Sequence, residues 1–181
     1  MTHASFQVTP AADSDAAAIT ALHALVFGPG RFARTAFRVR EGTPPVSAHC
    51  QMAVAPGQRG GVQGRQQRGE QGGPLLGAVR MTDVTISGAA GFAMLGPICV
   101  VPDRQGETIG AALLAAAVDS AFTAGLHGVI LIGDPPYYER LGAHRLAPGL
   151  VTFPGPVDPA RVVAFLRGAV QIPRGAVRAA I

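Results

Sequence analysis

The chain has 181 residues, 48% of them hydrophobic, and a formal net charge of +4. That length suits one domain over 1–181 with a core of its own, and that apolar content excludes a disordered chain. No apolar run is long enough to span a bilayer, and the opening Met1-Thr-His-Ala-Ser-Phe6 lacks the basic-then-apolar build of a secretion signal, so the expected compartment is the cytoplasm.

Ser5 to Thr9 alternates and predicts a first strand. Asp13-Ser-Asp15 supplies a cap for a helix to about Phe27, with Ile19, Leu22 and Val26 on one face. Gly28-Pro-Gly30 ends it, and Arg31 to Arg40 reads as a second, arginine-studded helix closed by Gly42. Pro44-Pro45 forms a loop, and Ala48 to Ala55 a strand. Residues 56–74 hold seven glycines, five glutamines and three arginines and predict a mobile loop. Leu75 to Val84 and Gly91 to Val101 are strands around a turn at Ser87-Gly88. A helix runs from about Glu107 to Ala124, apolar nearly all round and therefore largely buried, and Gly125 closes it. Gly128 to Ile132 is a short strand, which should pair in parallel with the strand before the helix through a right-handed crossover. Pro135 to Leu141 is a short helix, Ala143 to Leu146 a strand, and Leu150 to Phe153 a further one. Asp158 and Pro159 cap a last helix through Leu166, and the tail over 169–181 is unassigned. Antiparallel strands followed by one parallel crossover give a mixed α+β class.

The most informative stretch is Met94 to Leu114, where an apolar strand enters a short polar turn that opens into an alanine- and leucine-rich helix. Such a turn aims unpaired backbone N–H groups at the positive end of a helix dipole, a setting for phosphate. A Walker loop needs a lysine, and the chain has none; all 15 of its basic residues are arginine. A dinucleotide fold needs Gly-x-Gly-x-x-Gly early in a parallel unit, whereas the spacing here is Gln105-x-x-Thr108-x-Gly110 after antiparallel strands. The remaining reading is the pyrophosphate turn of a coenzyme A enzyme.

Leu95-Gly-Pro-Ile-Cys-Val-Val-Pro-Asp-Arg-Gln-Gly-Glu-Thr-Ile-Gly-Ala111 resembles the acetyl-CoA-binding motif of the GNAT N-acetyltransferase superfamily, roughly Leu-x-Val-x-Pro followed by Gln/Arg-x-x-Gly-x-Gly/Ala. Gly133-Asp-Pro-Pro-Tyr-Tyr-Glu-Arg-Leu-Gly142 is similar to its second signature, a strand leading to Tyr-x-x-Leu/Phe-Gly. The order of predicted elements matches too; the resemblance is sharp over 94–146 and topological over 1–90. It implies the GNAT acyltransferase fold, a mostly antiparallel sheet flanked by helices with one parallel crossover. It also implies acetyl transfer from acetyl-CoA to a primary amine by direct attack within a ternary complex. Ile98, Cys99 and Val100 would offer main-chain groups to the pantetheine arm. Gln105, Gly106, Glu107, Thr108, Ile109, Gly110 and Ala111 would form the pyrophosphate cradle, with Arg104 beside it. Tyr138 would protonate the departing thiolate, and Asp134 would approach the cofactor. Thr108 departs from the pattern, which has glycine there: it keeps its N–H but adds a β-branch, and its hydroxyl either replaces a hydrogen bond or crowds the phosphate.

The chemistry agrees. An amine attacking a thioester develops oxyanion charge that a main-chain N–H near Ile98 could stabilise. A phenol (pKa about 10) is a weaker acid than a thiol (about 8.5), so tyrosine acts by positioning or as charge develops on sulfur. Plainer readings stand beside these. Gly110 would only let the helix pack closely on the sheet. Tyr138 would be a core residue, with Tyr137 competing for its role. Cys50 and Cys99 would be reduced core cysteines. His49 and Asp83 lie on strands expected to flank the acceptor side, where either could help deprotonate the amine. The five histidines show no ligand spacing, so no metal is expected. Two other functions compete: a non-catalytic GNAT-like protein that senses CoA or binds a partner, and an RNA-associated protein using Arg59, Arg65 and Arg68. The acceptor is not readable, and a homodimer stays open.

Overall fold

The computed structural model describes residues 6–56 and 73–180. The expected loop over 56–74 and its three arginines lie almost wholly outside the described residues. The chain runs β1 (Gln7–Pro10), α1 (Ala16–Phe27), α2 (Thr35–Val39), β2 (Gln51–Val54), β3 (Leu75–Ile86), β4 (Ala89–Val100), α3 (Ile109–Thr123), β5 (Gly128–Ile132), α4 (Pro135–Glu139), β6 (His144–Arg145), β7 (Val151–Thr152), β8 (Val162–Leu166) and β9 (Gly175–Ala179). The sheet order is β1-β2-β3-β4-β5-β8-β6, and β9 pairs with both β3 and β7. Pairing is antiparallel except for β4 with β5 and β7 with β9. The mixed α+β class holds, and so does the parallel crossover through α3.

Side-chain alternation along the strands sorts the core onto two faces. Ala93 and Leu95 of β4, Val129 and Leu131 of β5, and Val163 and Phe165 of β8 pack with α3 through Leu113, Ala117 and Ala121. The intervening Phe92, Met94, Ile130, Val162 and Ala164 face the opposite way, toward Val39 of α2. Ile19 and Leu22 of α1 cover Met52, Val54 and Ala78 on that same side. The tight β3–β4 hairpin turns at Ser87 and Gly88, both with positive φ (51° and 86°), as its primed turn requires.

Four expectations need correction. Asp13–Asp15 forms a single 3-10 turn, and the Asp15 carboxylate accepts the N–H of Ala12 at 3.0 Å instead of capping α1 from within. The helix expected over 31–40 is broken: a 3-10 turn over Pro29–Ala33 and α2 are separated by extended Arg34 (φ −71°, ψ 137°). The strand expected over 48–55 is confined to Gln51–Val54. The helix expected from Asp158 to Leu166 is only a 3-10 turn, Pro159–Arg161, which Asp158 does cap through the Ala160 N–H at 2.9 Å. The following Val162-Val-Ala-Phe-Leu166 is β8, buried on both faces between β5 and β6. Its β-branched and aromatic residues suit a strand with no polar face, and such a run has no period to tell it from a helix. The unassigned tail supplies β9, whose Val177, Arg178 and Ala179 pair with Ile86, Thr85 and Val84.

Candidate active site

The site begins where β4 and β5 part. They are paired only from Phe92–Met94 to Gly128–Ile130; beyond this β5 continues along β8 and β4 along β3. β4 also bulges there. Leu95 stands opposite Met81 and Ile98 opposite Val79, so Gly96 and Pro97 together bring one residue more than β3 offers. Gly96 takes φ 136°, a region that glycine alone enters freely. The outcome is a wedge between two strands of one sheet, with the far half of β4 exposing an unpaired edge.

Strand alternation decides which backbone groups face that wedge. The Val101 N–H donates to the Leu76 carbonyl of β3. The Cys99 carbonyl lies 2.8 Å from where a Cβ on Gly77 would stand, so Cys99 too turns toward β3. Ile98 and Val100 therefore turn their polar groups outward. The Val100 carbonyl accepts the Gln105 side-chain amide at 3.2 Å, which ties the turn to the edge.

The turn then delivers α3. Pro102–Arg104 forms a 3-10 turn, Gly106 takes φ 85°, and Thr108 is the residue before the first helical position. Ile98, Val100, Gln105, Gly106, Glu107, Gly110 and Tyr138 line one cleft of about 470 Å³, with Val26 and Phe27 of α1 opposite. Gly110 is informative. A Cβ there would meet only a Val100 methyl, at 3.8 Å, so no protein contact demands glycine and the close-packing alternative fails. Gly133 is the opposite case: a Cβ would overlap the Tyr138 ring, so its smallness seats that ring.

The other predicted residues take different places. Ile109 is fully buried in the α3 core, leaving only its backbone for a ligand. Thr108 is exposed, and neither it nor Ala111 lines the cleft. Arg104 donates to Glu107 through two nitrogens, one at 2.7 Å. Cys99 is 6% exposed, and burial pushes its thiol up to about 12, so it stays protonated and unreactive. His49 and Asp83 approach one another at 3.9 Å, and His49 also meets Ser120 of α3 at 3.1 Å. Asp83 pairs with Ala93, about 16 Å along the strand from Ile98, and neither residue lines this cleft or the chamber next to it. His49 lies in the turn before β2 and not on a strand as expected.

Beyond Tyr138 a second chamber of about 460 Å³ occupies the wedge itself. It shares Phe27, Ile98, Tyr137 and Tyr138 with the first and adds Arg34, Asp134 and Arg161. Arg161 donates to the Gly133 carbonyl at 3.1 Å. Burial, with Tyr137 adding to it, raises the Tyr138 hydroxyl above the usual phenol value. The chamber's two arginines, Arg34 and Arg161, lie outside both motif segments. Arg34 and Arg161 come from separate segments, and no spacing links them.

Among the described residues no group of three or more His, Cys, Asp or Glu is placed to hold a metal ion. No helix among them is long and apolar enough to cross a membrane.

No family model matches the chain, and no curated protein does. Solved structures match it, several of them over 89% or more of both chains. A GNAT family acetyltransferase from Brucella melitensis, in complex with acetyl-CoA, superposes with a TM-score of 0.69 at 23% identity, over 98% of this chain and 97% of that one. A GNAT family N-acetyltransferase from Escherichia coli, in complex with CoA, gives 0.70 at 19% identity, over 97% and 89%. An acyl-CoA N-acyltransferase from Pseudomonas aeruginosa gives 0.57 at 18% identity, over 89% and 99%. The β4–β5 wedge, the α3 crossover and these superpositions agree: the chain has the GNAT acyltransferase fold.

Proposed function

We propose that this protein transfers an acetyl group from acetyl-CoA to a primary amine. The observation that carries the reading is the open β4 edge running into the start of α3 at Gly106 and Gly110, in a cleft that meets a second chamber at Tyr138. The similar structures from Brucella melitensis and Escherichia coli, which hold acetyl-CoA and CoA, support it.

In this reading the pyrophosphate lies against the N–H groups of residues 105–111, where the helix dipole favours negative charge and the space at Gly110 is left for a ligand. The pantetheine arm extends β4 by bonding the outward groups of Ile98 and Val100. The amine enters the second chamber as its free base, and its lone pair attacks the thioester carbon. A C–N bond forms as the carbonyl electrons move onto oxygen, where the Ile98 N–H donates to the developing charge. Collapse breaks the C–S bond, and the pair leaves on sulfur. Tyr138 supplies the proton as charge develops on sulfur; a phenol is protonated at neutral pH, and burial raises this one further. The nitrogen's extra proton passes to the phenolate, directly or through water, which restores Tyr138. No acyl-enzyme is formed.

Calorimetry with acetyl-CoA, and a thiol-release screen against amino acids, polyamines, aminoglycosides and peptides, test the proposal. Saturable binding with thiol release on at least one amine is the expected result. Binding without release across the panel favours a coenzyme-sensing protein, and no binding overturns the reading.

A further inference from the structure

A second polar site lies on the α1–α2 face of the sheet, in a pocket of about 330 Å³ that shares Phe37 with the wedge chamber. Arg80 and Arg40 line it, with Phe32 and Phe37 as apolar walls. Arg80 projects from β3 beside the Gly96–Pro97 bulge and is 5% exposed. One of its nitrogens is used: Nη2 donates to Thr20 Oγ1 at 2.8 Å and to the Ala16 carbonyl at 3.4 Å. Its Nε is buried with no hydrogen-bond partner. The Arg40 guanidinium stacks over the Phe37 ring at 4.3 Å, and its Nη1 is likewise buried and unpartnered. Neither arginine forms an ion pair with a described carboxylate; Glu41, exposed at the pocket, is bonded to neither.

Buried cations are normally paired, because taking a charge out of water is costly without a counter-charge. Here two guanidiniums share one partly dry pocket. Burial and their mutual repulsion lower Arg40 to about 10, and Arg80 is lowered as well. The neighbouring His23 is 1% exposed with both ring nitrogens unpartnered; burial and Arg80 hold its pKa near 3, so it is neutral and adds no charge. The chemistry that fits these donors is an anion with oxygens that accept from forked N–H groups.

We propose that Arg80 and Arg40 form a binding site for a small oxyanion, the carboxylate or phosphate group of a small molecule whose apolar part rests on Phe32 and Phe37. This site does not depend on the acetyl-transfer reading, because none of its charged groups lines either chamber of the cleft.

The test is titration of the full chain with inorganic phosphate and, separately, with succinate, by calorimetry and by thermal melting, at ionic strength held constant with chloride. At least one probe should bind saturably and, at 10 mM, raise Tm by about 3 °C or more, since a ligand held only by the folded state stabilises it. Response to phosphate alone assigns a phosphate ligand, and response to succinate alone a carboxylate. Arg80→Met and Arg40→Met should each weaken binding at least tenfold. Both should still fold, because burial already penalises each guanidinium charge and methionine keeps an apolar chain of similar length. Glu41→Gln should bind as tightly or more tightly. No response of the unaltered chain to either probe overturns the site, as does an Arg40→Met variant that responds like the parent.

Discussion

The two sides of the cleft are built on different principles. The α3 side comes from one contiguous segment, residues 98–114, and its working parts are backbone N–H groups, glycines and a helix start. Its one pair of charges, Arg104 and Glu107, is spent on itself. The α1–α2 side is assembled from segments around residues 34, 96, 134 and 161, and it offers side chains: Arg34, Asp134 and Arg161. Under the proposed function, a backbone cradle for phosphate would serve any acceptor, and the side chains brought from distant segments would meet the acceptor. The difference teaches that the half assigned to the coenzyme is local in sequence and the half assigned to the acceptor is not.

Four substitutions sharpen or break that contrast. The largest expected effect is Tyr138→Phe, which keeps the ring and removes the proton; turnover should fall roughly a hundredfold, at the lower end for a lost general acid, while the KM for acetyl-CoA changes little. Unaltered turnover would leave the α3 side as mere binding surface with no acid beside it. Next is Gly110→Trp, which fills ligand space without touching the core; coenzyme affinity by calorimetry should drop at least thirtyfold while Tm is held. Retained affinity would remove the cradle from residues 105–111. Gly133→Ala pushes a methyl into the Tyr138 ring and should cost about 1–3 kcal/mol in urea unfolding, as overpacking does, with turnover lost beside it.

The smallest effect is electrostatic and belongs to the α1 side. His23 has its pKa lowered from 6.5 to about 3 by burial and by Arg80. Above pH 6.5 it is neutral folded and unfolded, so it contributes no pH dependence. Between 6.5 and 3 the unfolded chain takes a proton that the folded chain refuses, and stability falls by up to about 1.4 kcal/mol per pH unit. His23→Leu should therefore flatten the loss of stability between pH 6.5 and 5, measured by urea unfolding, and leave the slope above pH 7 unchanged. An unaltered acid slope would place the titrating group elsewhere.

What could be read in the sequence follows the same division. The strand, the turn and α3 were legible because propensity, glycine placement and apolar period agree over adjacent residues. Gly106 and Gly110 carry their meaning locally. The wedge was not legible: it depends on where β5 leaves β4 for β8, which is a matter of pairing between residues 92–94, 128–132 and 162–166. β8 itself was misread because Val162 to Leu166 is buried on both faces, and a strand without a polar side has no alternation. Extended Arg34 split the second helix with no proline or glycine inside Arg31–Arg40 to mark the break. Arg80 follows the apolar run Leu75-Leu-Gly-Ala-Val79 and precedes Met81, and nothing in these neighbours announces a polar pocket.

The late strands carry a consequence for synthesis on the ribosome. β8 fills the gap between β5 and β6, and β9 covers the half of the β3 margin that β2 leaves bare, so both finish surfaces made much earlier in translation. Until residue 179 has emerged, the nascent chain presents the unpaired backbone of Val84, Thr85 and Ile86 to its surroundings, a template to which another chain can add. Chains cut short after β8 would therefore be expected to accumulate as aggregates.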